Sequence, residues 1–138
     1  MYKVTKELEF CYGHRLMDYV GKCQHLHGHN GKLAIELSAE RLDRRGMVRD
    51  FNDMKHRIQT WIDANLDHKM ILRKGDPAIV LLNKLGEPMF VMDENPTAEG
   101  LAKLLYEAVR TLGFPVTSVT LWETPQSFAT YHPTRGRR

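Results

Sequence analysis

Hydrophobic and polar residues alternate along two stretches near the N-terminus. In residues 2–12 and again in residues 31–40, most apolar side chains fall on every second position, with charged side chains between them. This period of two is typical of strands that bury one face. Residues 13–30 contain several glycines and show no period, so we expect a long loop there.

A helical period follows in two later segments. Asp50 can cap a helix whose apolar positions recur every three or four residues as far as Asn65. Asn95, as the cap, and Pro96, at the first helical position, predict the start of a second helix. Gly113 is expected to end that helix.

The remaining elements complete a predicted α+β domain. Residues 116–123 and 127–132 predict two further strands. Residues 67–95 are less regular, and within them residues 79–82 and Met89–Met92 predict a short hairpin. The element order is β-β-α-α-β-β around an insert, and strands in sequential pairs favour antiparallel pairing. We expect one domain over the whole chain, with a four-stranded antiparallel sheet and two helices on one face.

Composition places the chain among ordinary globular proteins. Of its 138 residues, 42% are hydrophobic and 27% are charged, which excludes disorder and coiled coil. The 20 basic and 17 acidic residues differ by three. The basic tail, residues 133–138, accounts for this excess through Arg135, Arg137 and Arg138. Since no basic stripe interleaved with aromatic residues accompanies the tail, we expect no nucleic-acid partner, and a nucleic-acid binder is the weakest alternative.

Membrane association and export are not expected. The longest apolar run, residues 78–82, has five residues and is too short to span a bilayer. The N-terminus alternates charged and apolar residues, unlike a signal peptide. Two cysteines form no disulfide framework and favour a reducing compartment. We therefore expect a cytoplasmic protein without a membrane partner.

Four of the seven histidines, His14, His25, His27 and His29, lie within 16 residues. In extended backbone His27 and His29 project to the same side, and Gly28 between them permits a close backbone approach. His14 continues the apolar face of the first strand. Three neutral imidazoles can bind Zn²⁺ and leave a fourth position for water or substrate, which is the catalytic arrangement. Spacing alone leaves His25 open as a further ligand.

Other reactive side chains accompany this cluster. The Cys23 thiol, four residues before His27, is either a base or nucleophile beside a cationic metal or an inert buried cysteine. Asp67 either orients the imidazole of His68, or both lie at a solvated helix end. Glu123 ends an apolar strand face, where a carboxylate meets either water or a ligand rich in NH groups.

Six segments form a distinctive series in chain order. They are F-C-Y-G-H-R-L (10–16), C-Q-H-L-H-G-H-N (23–30), G-M-V-R-D-F (46–51), L-D-H (66–68), N-P-T-A-E (95–99) and W-E-T (122–124). Together they resemble the 6-pyruvoyltetrahydropterin synthase family over about residues 4–132. The spacing C-x-x-x-H-G-H is similar to that of the 6-carboxytetrahydropterin synthase branch, which serves queuosine biosynthesis.

The resemblance implies both an architecture and a reaction. The architecture is the tunnelling fold, in which three subunits close a barrel and two trimers stack into a homohexamer with sites at subunit interfaces. The reaction is zinc-dependent conversion of 7,8-dihydroneopterin triphosphate to 6-carboxytetrahydropterin, acetaldehyde and triphosphate.

The resemblance also implies three groups of site residues. The zinc ligands are His14, His27 and His29. The catalytic group comprises a general base, Cys23, and a partner dyad expected to reach a neighbouring subunit's pocket, Asp67 and His68. The pterin-binding group comprises Glu123, which holds the NH groups of the amino-pyrimidine, together with Thr97 and Glu99.

Three features depart from the family pattern. Gly31 stands where an aromatic residue is usual, Gly100 stands where Asn is usual, and residues 69–94 are longer than in compact members. These departures bear on the exact substrate, and two alternatives stay open. One is a 6-pyruvoyl enzyme that eliminates triphosphate alone or a related dihydroneopterin-processing enzyme. The other is a non-catalytic, zinc-stabilised binding domain with His25 or Cys23 as the fourth ligand.

Overall fold

The computed structural model describes residues 1–134 and contains six strands and three α-helices. The tail arginines on which the charge argument rests, Arg135, Arg137 and Arg138, lie outside the described residues. The strands are β1 Tyr2–His14, β2 His27–Ala39, β3 Lys69–Arg73, β4 Met89–Met92, β5 Val116–Thr124 and β6 Ser127–Tyr131. The helices are α1 Phe51–Asn65, α2 Ala78–Leu85 and α3 Ala98–Thr111.

All six strands form one sheet in the order β4-β3-β1-β2-β5-β6. Strands β1, β2, β5 and β6 pair antiparallel, while β3 and β4 are added in parallel on the β1 side. The predicted α+β class and its antiparallel unit of four strands are confirmed. The predicted totals of four strands and two helices are wrong, because the insert after α1 supplies β3, α2 and β4.

The insert folds as strand, helix and strand, so the predicted hairpin is wrong. Met89–Met92 is a strand, as expected, but residues 79–82 lie within α2. An apolar run this short has no period that separates a strand from a helix. Its ends decide the conformation: the Asp76 carboxylate accepts a hydrogen bond from the Ala78 amide at 2.8 Å. Gly86 ends the helix in the left-handed region, at φ 73°.

A partly buried ion pair connects the start of α2 to the end of β1. Asp76 is 2% exposed, and its carboxylate accepts hydrogen bonds from Nε of Arg15 at 2.7 Å and from its Nη2. The hydrogen bond from Arg15 lowers the pKa of Asp76 against the opposing effect of burial. Both side chains are therefore charged at neutral pH, and the insert is held beside the residue that follows His14.

The ladder between β1 and β2 extends into the predicted loop. It reaches His14 opposite His27, so residues 27–30 are strand. Glycine is a weak strand former, which is why the pattern of alternation fades there. A Cβ added at Gly28 would lie 3.1 Å from the Tyr12 carbonyl oxygen. The close backbone approach expected at this glycine is therefore present.

Helix α3 begins two residues later than predicted. Its cap is Thr97, whose hydroxyl accepts a hydrogen bond from the Gly100 amide at 3.0 Å. The prediction that Asn95 is the cap is wrong, because its side chain bonds the main-chain NH and carbonyl of Met17 at 2.9 and 2.8 Å. This clamp brings Pro96 next to the segment that leaves β1.

Helices α1 and α3 pack on one face of the sheet, as predicted. The buried positions of both helices and the inward positions of β1, β2 and β5 share one core; the largest fully buried members are Leu33, Ile35, Leu37, Met54, Ile58, Ile62, Leu101, Leu105 and Leu121. Helix α2 contributes nothing to this core and leaves Val80, Leu81 and Leu85 exposed. Among the described residues, no helix has the length and apolar character needed to cross a membrane.

Candidate active site

Three imidazoles meet where β1 ends and β2 begins. His14 is the last residue of β1, and His27 and His29 open β2 on the same face of the ladder. Nε2 of His14 lies 3.0 Å from Nε2 of His27 and 3.1 Å from Nε2 of His29. The three rings can offer nitrogens that all lie within 4.8 Å of one another. We call these residues the three-histidine cluster.

Main-chain carbonyls orient two of the rings. Nδ1 of His14 lies 2.7 Å from the Pro96 carbonyl oxygen, and Nδ1 of His27 lies 2.7 Å from that of His25. A carbonyl only accepts, so in each neutral ring Nδ1 carries the proton and Nε2 presents a lone pair. This support by a second layer of residues is characteristic of metal-binding histidines.

The cluster fits a tetrahedral transition-metal ion. Since the Nε2 atoms of His14 and His27 both present lone pairs, they repel each other at 3.0 Å unless a cation lies between them. Nitrogens about 2.0–2.1 Å from a tetrahedral zinc ion lie about 3.3 Å apart, close to the separations in the cluster. Burial lowers the pKa of His14 to about 4, with the other two histidines acting in the same direction. The ring is therefore neutral near pH 7, as a ligand must be.

The fourth coordination position is open to one side. Within residues 1–134, the three histidines make up the only such group of three or more potential ligands. His14 is buried, whereas His27 and His29 are partly exposed. A water or substrate oxygen can therefore approach from the exposed side, which is the arrangement of catalytic metal sites.

Cys23 and His25 are not part of the cluster. Cys23 lies in a short 3₁₀ turn of the β1–β2 loop, and its carbonyl accepts a hydrogen bond from the Leu16 amide at 2.8 Å. Cys23 as a residue is partly exposed. The side chain of His25 is exposed, and its carbonyl orients His27. The geometry of the described residues thus gives no support to a closed site with either residue as a fourth protein ligand.

The side chains of Asp67 and His68 form the hydrogen-bonded pair that their adjacency in the sequence suggested. Nδ1 of His68 lies 2.8 Å from a carboxylate oxygen of Asp67. The other oxygen accepts a hydrogen bond from the Cys11 amide at 2.9 Å, while the Cys11 carbonyl accepts one from the His68 amide. Partial burial raises the pKa of Asp67, but the hydrogen bonds from Cys11 and His68 outweigh it and leave the pKa below its ordinary value.

A cleft lies beside His68 and the start of β2, and neither His14 nor Glu123 lines it. It has a volume of about 650 Å³, and His68, His27 and His29 all line it. The insert provides another wall through Leu82 and Pro88. The length of residues 69–94, which the sequence left without a role, therefore builds one side of the cleft. The His68 side chain is 78% exposed, so its Nε2 is free to meet a ligand.

Glu123 lies against the cluster, whereas the two α3 residues do not. Oε1 of Glu123 is 3.9 Å from Nε2 of His14, and the side chain is 24% exposed. The hydroxyl of Thr97 caps α3, and Glu99 is exposed in its first turn. The turn before α3 still borders the cluster, because the Pro96 carbonyl contacts His14.

Tyr12 is a site residue that sequence reasoning assigned only to the strand. It is 3% exposed, and its hydroxyl is buried without a hydrogen-bond partner. Its ring centroid lies 5.3 Å from that of His14 and 5.7 Å from that of His29. Burial raises the pKa of Tyr12 above its usual range, and the charge of Glu123 raises it further. The sequence contains one feature that could have pointed to Tyr12. Residue 31 is a glycine, whereas an aromatic residue is usual at that position in the family.

Comparisons with known proteins decide the family. The family profile described as 6-pyruvoyl tetrahydropterin synthase matches residues 3–134. The chain belongs to this family. Membership makes it an enzyme of the pterin lyase type, and the resemblance seen in its sequence segments is confirmed.

Similar proteins cover nearly the whole chain. The 6-carboxy-5,6,7,8-tetrahydropterin synthase of Rickettsia conorii is 39% identical over 93% of this chain and 98% of its own. The protein of the same name from Haemophilus influenzae is 34% identical over 95% and 99%. An uncharacterized protein from Wolinella succinogenes superposes with a TM-score of 0.80 at 30% identity, covering 96% and 98% of the two chains. The 6-pyruvoyl tetrahydropterin synthase of Caenorhabditis elegans gives 0.71 at 25%, covering 97% and 98%.

Metal binding should depend on His27 and not on His25. We expect the wild-type chain to bind one divalent transition-metal ion, and His27→Ala to lose it, because a ligand nitrogen is removed. His25→Ala is the matched control, since its contact with the site is made by a carbonyl that alanine retains. Elemental analysis after dialysis measures the metal content. One bound ion per chain in His27→Ala would show that the cluster is not the metal site.

Proposed function

We propose that the chain is a zinc-dependent 6-carboxy-5,6,7,8-tetrahydropterin synthase of queuosine and 7-deazapurine biosynthesis. It would convert 7,8-dihydroneopterin triphosphate and one water molecule to 6-carboxytetrahydropterin, acetaldehyde and triphosphate. The observation that carries the proposal is the open three-histidine cluster with Glu123 beside it. The C-x-x-x-H-G-H spacing and the names of the Rickettsia and Haemophilus relatives support this branch.

Zinc is the metal that we propose for the cluster. Three imidazole donors without a thiolate or carboxylate suit zinc, and an open fourth position is typical of catalytic zinc. When bound, zinc supplies a Lewis acid that polarises the hydroxyl oxygens of the substrate side chain. The Pro96 and His25 carbonyls keep the His14 and His27 rings oriented for this role.

Glu123 is proposed to hold the pterin ring. Its carboxylate lies 3.9 Å from Nε2 of His14 and can accept hydrogen bonds from the paired NH groups of the amino-pyrimidine. Hydrogen bonds to an ionised acceptor contribute about 1.5–3 kcal/mol each. Thr97 and Glu99 are proposed for the edge of the same binding region, since the turn before α3 borders His14. Because the Thr97 hydroxyl already caps α3, its contact with substrate would be secondary.

Proton transfer is proposed for Cys23 and for the Asp67–His68 pair. Asp67 accepts from Nδ1 of His68, which fixes the ring and leaves its Nε2 to exchange a proton with a ligand. Cys23 belongs to the loop whose two ends are His14 and His27. A thiol carried by this loop is the candidate general base.

A homohexamer of two stacked trimers is proposed as the working assembly. Strands β4 and β6 are the two edges of the sheet and offer unpaired main-chain groups to a neighbouring copy. Each edge strand also carries an exposed apolar side chain, Val91 on β4 and Phe128 on β6. The exposure of His68 agrees with a dyad that completes a neighbouring subunit's pocket.

A second candidate function is triphosphate elimination by a 6-pyruvoyl enzyme. The name of the family profile and of the Caenorhabditis neighbour favours it. Both candidates start from the same substrate and share the cluster, so geometry does not separate them. Their products do, because only the first cleaves a carbon–carbon bond.

The products of the metal-loaded enzyme test the proposed function directly. We expect incubation with 7,8-dihydroneopterin triphosphate to give 6-carboxytetrahydropterin and acetaldehyde in equal amounts, identified by mass. The metal-free protein and the His27→Ala variant are the controls and should give neither. Triphosphate and a 6-pyruvoyl product without acetaldehyde would establish the second candidate. No turnover of this substrate would contradict both.

Replacement of Cys23 tests its role as a base. We expect Cys23→Ala to retain metal and substrate binding but to lose about 10²-fold or more in turnover, the usual scale for a positioned acid–base group. Gln24→Ala, an exposed neighbour in the same turn, is the matched control and should turn over normally. Normal turnover in Cys23→Ala would leave proton transfer to the Asp67–His68 pair. Loss of metal in that variant would instead make Cys23 a ligand.

A further inference from the structure

The hydroxyl of Tyr12 is an unusual group in this core. Within residues 1–134, it is the only buried side-chain nitrogen or oxygen that lacks a hydrogen-bond partner. Buried polar groups are normally paired, because an unpaired one loses its bonds to water without replacement. Phe10, two residues earlier on the same face, stacks on Tyr12 with ring centroids 5.1 Å apart and needs no hydroxyl to do so.

The ring of Tyr12 is a wall of the three-histidine cluster. Tyr12 precedes His14 on the inward face of β1 and lies opposite His29 in the ladder. Its ring packs edge-on against His14 and is tilted against His29, at the centroid distances given above. The unpaired hydroxyl therefore belongs to the neighbourhood of the site and not to a remote part of the core.

Gly31 explains why the ring stays in this place. A Cβ added at Gly31 would lie 3.0 Å from Cε1 of Tyr12 and 3.2 Å from Cδ1 of Leu121. The tyrosine ring thus occupies the space that a side chain at residue 31 would need. Lys32, the residue after Gly31, pairs with Trp122, the residue before Glu123. The Tyr12 ring therefore lies between β5, which carries Glu123, and the histidines.

We propose that the Tyr12 hydroxyl is a substrate-binding group that makes a hydrogen bond with an oxygen of the substrate side chain, between Glu123 and the three-histidine cluster. This inference rests on the proposed function, because it takes a pterin with a hydroxylated side chain as the ligand. The substrate then supplies the partner that the protein lacks. Packing alone would be satisfied by phenylalanine.

Removal of the hydroxyl tests the proposal. Tyr12→Phe keeps the ring, so fold and metal content are preserved. Binding of two unreactive probes to the metal-loaded protein is followed by fluorescence titration: neopterin, which carries the hydroxylated side chain, and pterin, which lacks it. We expect Tyr12→Phe to weaken neopterin about tenfold, equal to about 1.4 kcal/mol, and to leave pterin unchanged.

Two controls separate this proposal from the proposed function. Tyr106→Phe removes the hydroxyl of another buried tyrosine, which packs on Tyr131 and not on the cluster, and it should change neither affinity. Glu123→Ala should weaken both probes. If Glu123→Ala weakens neither probe, the proposed pterin anchor fails, whatever Tyr12→Phe does.

The outcomes of Tyr12→Phe are distinct. Equal weakening of both probes would overturn the contact with the side chain and would place the contact on the pterin ring instead. Unchanged affinity for both probes, with an unchanged or higher melting temperature, would overturn the proposal. The hydroxyl would then be an unpaired group that packing tolerates.

Discussion

The register between β1 and β2 is the constraint on which the site depends. In this ladder His14 lies opposite His27, and Tyr12 lies opposite His29. Because side chains alternate between the two faces of a sheet, a slip of one residue would turn His27 and His29 away from His14. Gly28 permits the register, since any larger residue would press on the Tyr12 carbonyl. The same pairing that forms the centre of the core therefore builds the metal-binding geometry.

Segments that are distant in the chain contact the end of β1 and hold His14 and the insert in place. The Asn95 side chain clamps the main chain of Met17, which places the Pro96 carbonyl against His14. The Arg15–Asp76 pair holds the insert, and the insert closes one side of the cleft. These contacts involve few residues, but each joins residues about 60 to 80 positions apart in the chain. The Pro96 carbonyl orients the His14 ring in the way that second-layer contacts orient metal-binding histidines.

The sequence predicted those parts of the molecule that repeat a local pattern. Alternation predicted β1 and most of β2, residues 116–123 and 127–132 were predicted as the strands that became β5 and β6, and the helical period predicted α1 and α3. The H-x-H spacing and the parity of His14 predicted the cluster that the structure brings together. The insert was predicted only in part: Met89–Met92 was expected as a strand, but β3 and α2 were missed, because segments of five and eight residues are too short for a clear period to emerge. The Asn95 clamp was missed because the Asn-Pro pair satisfies a local capping rule, and tertiary contacts override that rule. Tyr12 was assigned only to the strand, since an unpaired hydroxyl is a property of the packed structure.

The central claim is that three histidines, and no other side chain, hold the metal. X-ray absorption at the zinc edge of the loaded protein measures this directly, because zinc–nitrogen and zinc–sulfur distances differ, at about 2.0–2.1 Å and 2.3 Å. We expect three imidazole nitrogens and one further light atom from solvent, with the same spectrum in Cys23→Ala. A zinc–sulfur distance that disappears in Cys23→Ala would contradict it and would identify a closed site.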